Sequence, residues 1–348
     1  MIFRLGELFC GPGGLALGAT TADIGDPNWK IIHQWASDYD EDTCQTYRQN
    51  ICPDQPRSVI LRDVRRLDLT KLGPIDAFAF GFPCNDFSVI GEKQGLQGRY
   101  GPLYTYGIEV LRLYRPLWFL AENVGGLGSA DSGAALTLIM DEMKAVGYRV
   151  FPNLYRFEEY GVPQSRHRLI MVGIRSDLPY QFRVPSTEAF KEADVTCRTA
   201  IECPPIPIGA PNHEFSRVGE TVMERLSYIK PGENVFTAEM PDRLRLKVKG
   251  ATISQLYRRL DPSKPAYTVI GNGGGGMQMY HWVKNRALTN RERARLQTFP
   301  DDFIFVGGVG SVRKQIGMAV PPRGASVIFE AILKTFAGIS YESMRAKW

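Results

Sequence analysis

Phe80-Gly81-Phe82-Pro83-Cys84-Asn85-Asp86-Phe87-Ser88 is the stretch on which the reading of this chain turns. The run before it, Ile75-Asp76-Ala77-Phe78-Ala79-Phe80, has the apolar character of a short buried strand, and Gly81 and Pro83 end it abruptly. A thiol just past a strand end, in a turn tightened by proline, projects from the carboxyl edge of the sheet, where open α/β sheets bind their ligands. Taken alone, Cys84 reads first as a small buried hydrophobe. Its surroundings reverse that reading.

Upstream, Leu5-Gly6-Glu7-Leu8-Phe9-Cys10 reads as a first strand, and Gly11-Pro12-Gly13-Gly14 as a turn into a helix beginning at Leu15. Glycines there let the backbone approach a ligand closely, and the helix amino end favours anionic or polar groups. The next strand, Ile31-Ile32-His33-Gln34-Trp35-Ala36, ends at Ser37-Asp38-Tyr39-Asp40. An acid at that strand end is where nucleotide-binding α/β folds hold a ribose diol, although Asp38 also suits a helix N-cap. Tyr39 can stack on an adenine. Val59-Ile60-Leu61 leads to Arg62-Asp63-Val64, a third strand end with an acid able to accept from an adenine amino group.

Downstream, a glycine-rich loop at 91–101 precedes an amphipathic helix from Leu103 to Tyr114 and a buried strand ending at Glu122-Asn123-Val124. Thiol and carboxylate at adjacent strand ends would share one pocket, and a half-buried glutamate there should have a raised pKa, suited to proton donation. Two strands follow as a hairpin, joined through Gly161-Val162-Pro163-Gln164-Ser165-Arg166-His167-Arg168. Arg166 and Arg168 alternate on a strand, so both guanidinium groups point toward one anionic or carbonyl-rich target. From about Ser176 prolines multiply and the βα rhythm stops, which places a domain boundary near residue 180.

The 348 residues suffice for two cores, and the 44% apolar content is ordinary for a globular chain. No apolar run is read as a membrane span and no signal peptide precedes the first strand, so a cytoplasmic protein without membrane attachment is expected. Six cysteines without Cys-x-x-Cys pairing point to reduced thiols and no metal. The net charge of +5 is modest, but its distribution is uneven. Arg243, Arg245, Lys247, Lys249, Arg258, Arg259 and Lys264, then Arg286, Arg291, Arg293, Arg295, Arg313, Lys314 and Arg323, suit either a phosphate backbone or a solvated helical face.

In this order, FCGPGG at 9–14, SDYDEDTCQTY at 37–47, RDV at 62–64, GFPCNDFS at 81–88, ENV at 122–124, GVPQSRHRL at 161–169, LTNRERARLQTFPDDF at 288–303 and QIGMAVPP at 315–322 resemble the DNA (cytosine-5) methyltransferase family. The resemblance spans residues 5 to about 335, with a variable gap near 180–265. It implies an α/β fold: a Rossmann-like S-adenosylmethionine-dependent methyltransferase domain at 1–180, completed by 311–348, with a smaller, irregular target-recognition domain and hinge at 181–310. The cofactor implied is S-adenosylmethionine. The partners implied are double-stranded DNA and a cognate restriction endonuclease acting on the same site, with the enzyme itself a monomer.

By the same resemblance, Cys84 is the nucleophile that adds to cytosine C6, and Glu122 the acid that donates to N3, with Asn123 holding the loop. Arg168 reaches the cytosine O2, and Arg166 the nearby backbone or sulfur. Phe9, Gly11, Gly13 and Gly14 wrap the cofactor, Asp38 holds its ribose, Tyr39 its adenine face and Asp63 its adenine amino group, while Pro83 and Leu103 line the same pocket. Asn85, Ser88, Gln164, Thr268 and Val269 fall along the DNA. Because a stacked base is out of reach, it must be flipped out, and a loop at 85–101 could close over it. Three positions depart from the family pattern: Asp38-Tyr39 replaces a glutamate and tryptophan, Asn85 a glutamine, and Met318 an asparagine. A tRNA methyltransferase and a non-catalytic DNA-binding protein share this fold and remain the rival readings.

Overall fold

A computed structural model describes residues 1–82, 103–125, 133–246, 253–271 and 275–347. In chain order these form β1 (Ile2–Leu8), α1 (Gly14–Thr20), β2 (Lys30–Asp38), α2 (Glu41–Ile51), β3 (Val59–Leu61), β4 (Ala77–Gly81), α3 (Tyr104–Tyr114), β5 (Trp118–Val124), α4 (Ala134–Ala145), β6 (Tyr148–Arg156), β7 (Gln164–Ser165), β8 (His167–Arg175) and β9 (Val184–Pro185). They continue with α5 (Cys197–Glu202), α6 (Glu220–Ser227), β10 (Ala266–Tyr267), α7 (Asn290–Leu296), α8 (Val309–Met318), α9 (Pro322–Ala337) and β11 (Ser343–Met344). Cys84, with Pro83, Asn85, Ser88 and all of the loop at 85–101 expected to close, lies outside the described residues.

The chain divides into two compact units, one of Met1–Tyr160, His167–Lys191 and Val320–Trp348, the other of Gly161–Arg166 and Glu192–Ala319. These bounds differ from a division at residue 180: the short stretch 161–166 goes with the second unit, and that unit runs on to Ala319.

The first unit is built on a seven-stranded sheet in the order β3-β2-β1-β4-β5-β8-β6. β1, β2, β3, β4 and β5 run parallel, whereas β8 is antiparallel to both β5 and β6. Phe78, Phe80, Trp118, Phe119 and Leu120 are all fully buried, which is why the central strands read as unbroken apolar runs. The strand order reverses between β1 and β4, and in such sheets the crevice beyond the carboxyl ends at that reversal takes the ligand. Phe3 meets Trp118 and Phe336 edge-on, at ring distances of 5.8 and 5.1 Å, and so ties α9 to the sheet. A side chain on Gly18 of α1 would come within 2.7 Å of the Ala325 methyl on α9, so only glycine lets these helices cross that closely.

By length and composition Val309–Ala337 could pass for a membrane span, contrary to the sequence expectation. Ala319, Val320 and Pro321 break it into α8 and α9, and 72% of its apolar window is buried within the protein, as in a core helix.

The second unit has little regular structure, a small apolar cluster around Leu226, Val235, Leu244 and Tyr280, and a knot of Phe299, Phe303 and Phe305. Buried arginines hold the irregular backbone together. Arg259 donates to the carbonyls of Leu226, His281 and Lys284, and Arg291 to those of Pro211, Pro300 and Phe303. Neither a phosphate footprint nor a solvated face describes these residues. Arg259, Arg291 and Arg293 are at most 3% exposed, and Arg295 is paired with Asp301. Chain without ladder partners leaves carbonyls that need donors, and a guanidinium supplies up to five.

Candidate active site

Within the first unit, the ends of β4 and β5 are bound together where the Cys84 segment departs. Gly81 pairs with Glu122 across the two strands, and a side chain on Gly81 would meet the Glu122 carboxylate at 3.1 Å. Glycine there leaves room for the carboxylate above the strand end. Fully buried Asn123 donates its amide to the Phe82 carbonyl at 3.1 Å, two residues before Cys84, and its side-chain oxygen accepts from the Val124 amide. This contact clamps the start of the segment to β5.

Arg168 arrives on antiparallel β8, opposite Val124, which sets it diagonally across from Glu122. Its Nε lies 2.9 Å from Glu122 Oε1, and the two side chains are 14% and 13% exposed. This charge-assisted contact fixes the direction of the carboxyl group. A second guanidinium nitrogen donates to the His167 carbonyl at 2.8 Å.

At the carboxyl end of β1 the backbone turns through left-handed conformations at Phe9 (φ 55°), Gly11 (φ 56°) and Gly13 (φ 97°), the last being the N-cap of α1. A left-handed phenylalanine is uncommon, and such strain gathers at ligand sites. No atom would lie within 4 Å of a Cβ on Gly11, so this turn opens onto space. Asp38, at the end of β2, accepts from the Gly11 amide at 3.1 Å and from the Tyr39 and Asp40 amides. Burial nevertheless pushes its carboxyl above the ordinary range. Asp40, not Asp38, is the N-cap of α2. Tyr39 is 61% exposed beside it. Asp63 is held by Arg65, whose guanidinium brings its carboxyl down to about 2. Leu103, the N-cap of α3, is buried in the same core cluster as Phe82 and Tyr104. A glycine turn opening onto space, a braced acid and an exposed ring fit a nucleoside with an attached amino acid.

Among the described residues, Arg166 and Arg168 have different partners. Arg166 falls between β7 and β8, is fully buried, and donates to the carbonyls of Val269 and Gly317 at 3.0 and 2.9 Å within the second unit. Gln164 and Val269, read as lying along the DNA, are also fully buried. Gln164 accepts from the Val269 amide at 2.7 Å and donates to Gln297 and the Leu296 carbonyl. Their polar atoms are engaged internally, so both hold the unit together. Thr268 is half-buried and bonds the Ser165 carbonyl at 2.6 Å. Met318, in place of the family's asparagine, is 61% exposed directly after Gly317.

Two participants escaped the sequence reading. Gln297 donates to the carbonyls of Ile316 and Ala319 and completes the Gln164 network. Glu7 is buried in β1 and shares a short hydrogen bond with Tyr47 of α2. The signal for Glu7 was in view: a lone acid inside an otherwise apolar strand.

A sequence model of the C-5 cytosine-specific DNA methylase family matches residues 3–334. The chain is 55% identical to the Type II methyltransferase M.BbvI of Brevibacillus brevis, an alignment covering 100% of this chain and 95% of that protein. It is 38% identical to the Type II methyltransferase M.NgoFVII of Neisseria gonorrhoeae, over 97% of this chain and 88% of the other. Among solved structures, a proposed DNA modification methyltransferase encoded within an E. coli prophage superposes with a TM-score of 0.70 at 23% identity, over 96% of this chain and 99% of that one. At that identity the likeness speaks for the fold.

Proposed function

The chain belongs to the C-5 cytosine-specific DNA methylase family and is a DNA (cytosine-5-)-methyltransferase, and we propose that it methylates a cytosine extruded from a specific short duplex sequence through a covalent bond between Cys84 and C6. The observation that carries this reading is the paired end of β4 and β5. It sets the Glu122 carboxyl above Gly81 and clamps the chain two residues before Cys84.

Cytosine C5 is a poor nucleophile until the ring is activated. Addition of the Cys84 sulfur to C6 pushes an electron pair through the ring, and Glu122 supplies the proton that N3 takes up. C5 is then electron-rich and takes the methyl group. Loss of the C5 proton expels the sulfur and restores the ring. Arg168 orients Glu122 and serves the cytosine O2. Asn123 keeps the nucleophile segment in register with β5. Arg166 acts one step removed, by holding the backbone at Val269 and Gly317.

S-adenosylmethionine, the methyl donor we assign to the family fold, supplies an electrophilic methyl group. Phe9, Gly11, Gly13 and Gly14 would wrap it, Asp38 would take the ribose hydroxyls, Tyr39 and Asp63 the adenine, and Pro83 and Leu103 the apolar wall. The Type II names of the relatives support a cognate restriction endonuclease that shares the target sequence.

The test is transfer of a tritiated methyl group to duplex DNA and to tRNA by the wild-type chain and by Cys84→Ala. Labelled DNA with wild type and none with the variant is expected. Labelling of tRNA alone, or undiminished labelling by the variant, would overturn the assignment.

A further inference from the structure

Beneath the glycine turn, four side chains form a continuous line from the core toward the surface. The Glu7 carboxyl meets the Tyr47 hydroxyl, which lies 3.1 Å from His33 Nδ1. His33 Nε2 lies 2.7 Å from the Ser58 hydroxyl, and that hydroxyl lies 2.6 Å from the Gln55 carbonyl. Glu7 and Tyr47 are buried, and Ser58 reaches the partly exposed rim.

Counting hydrogens gives this line a direction. The Gln55 carbonyl can only accept; it takes the Ser58 amide at 3.0 Å and, at 2.6 Å, the Ser58 hydroxyl, whose other acceptor, Cys52 Sγ, is 3.8 Å away, so Ser58 spends its single hydrogen on Gln55. His33 Nε2 must then donate to Ser58. Burial holds the His33 imidazolium constant down to about 4, so the ring is neutral and its Nδ1 carries no hydrogen. Nδ1 therefore accepts from Tyr47, which leaves the Tyr47 oxygen to receive a hydrogen from Glu7. Only a protonated Glu7 can provide it.

We propose that Glu7 is a neutral acid that positions the methyl-donor site, its proton locking α2 to β1, and that losing this proton loosens the site. The proposal rests on the reading of that site as an S-adenosylmethionine pocket. Both of its edges hang from the elements that Glu7 and Tyr47 join. β1 runs directly into the turn at Phe9, and α2 is capped by Asp40, next to Asp38 and Tyr39. The Tyr47 ring also packs 3.2 Å from where a Cβ on Gly13 would stand.

The surroundings favour the neutral acid. Burial pushes the Glu7 carboxyl up to about 8. The Tyr47 hydroxyl is the one neighbour that would favour an ionised Glu7, and burial outweighs it. Burial raises the Cys10, Cys44 and Cys52 thiols, which therefore stay neutral beside it. Arg48 turns its guanidinium to the carbonyls of Pro56 and Val59. Ionising Glu7 would reverse every bond in the line and leave the Gln55 and Ser58 oxygens in contact without a hydrogen.

The test is calorimetric titration of the full chain with S-adenosylmethionine between about pH 6.5 and pH 9.5, for wild type, Glu7→Gln and Ser58→Ala. In wild type the dissociation constant should be level at low pH and rise above about pH 8, approaching tenfold per pH unit where only the protonated form binds. Glu7→Gln should lose that rise. Ser58→Ala, which frees the outer end of the line, should keep it with a displaced midpoint. A level wild-type profile, or an undiminished rise in Glu7→Gln, would overturn the proposal. Infrared spectra of the ligand-free proteins judge the proton separately. A buried carboxylic-acid carbonyl band at neutral pH in wild type and its absence in Glu7→Gln are expected, and identical spectra refute a neutral Glu7. Failure of wild type to bind S-adenosylmethionine while the band is present would instead sink the reading of the pocket.

Discussion

Glu7→Gln should make the protein more stable, and by an amount that grows with pH. Burial moves the Glu7 carboxyl from its ordinary 4.5 up to about 8. Between those values the folded chain holds a proton that the unfolded chain has released. Stability contributed at this position is therefore fully present below 4.5 and is lost as pH rises through the folded value near 8. At pH 7 the gap from 4.5 is two and a half units, which at about 1.4 kcal/mol each is roughly 3 kcal/mol of cost to wild type. The amide of glutamine is neutral throughout and can still donate to Tyr47. A weaker hydrogen bond would take back about 1 kcal/mol, so a net gain of roughly 2 kcal/mol is expected at neutral pH. Urea unfolding followed by the buried Trp35 and Trp118 would measure it at several pH values. Parallel midpoints for the two proteins from acid to mildly alkaline pH would refute the reasoning, because the gap must widen with pH.

Other expectations concern chemistry and packing. Glu122→Gln should lower the methylation turnover number by about 10²–10⁴ while DNA binding persists, and unchanged single-turnover kinetics would remove Glu122 from proton donation. Gly317→Ala should destabilise the second unit by about 1–3 kcal/mol, since the new methyl would sit 2.0 Å from the Gly271 nitrogen. An unchanged thermal midpoint would contradict that contact. Arg259→Met should lower stability by orphaning three carbonyls, yet leave the salt dependence of DNA binding unaltered. A salt slope smaller by about one would show that Arg259 neutralises a phosphate after all.

The βα rhythm, the glycine turn at 11–14, and the strand ends at Gly81 and at Glu122-Asn123-Val124 were legible because near neighbours decide them. An apolar run makes a buried strand wherever it pairs, and glycine and proline end it locally. The basic clusters were not legible in the same way. Arg259, Arg291 and Arg293 carry the same charge whether they face a phosphate or a carbonyl, and only the irregular backbone around them decides which. Gln164 and Val269 likewise sit in a polar, proline-broken context that does not reveal burial.

By itself, then, the sequence determined which residues end the strands and which of them can carry thiol, acid and guanidinium chemistry. The tertiary structure alone decided their partners. It brought antiparallel β8 beside β5 so that Arg168 meets Glu122, set Arg166 against Val269 and Gly317, and enclosed Glu7 with a tyrosine forty residues away. The physical reason is range. Strand and turn preferences act over a few bonds, whereas a proton's residence or an ion pair depends on which atoms folding brings within about 3 Å.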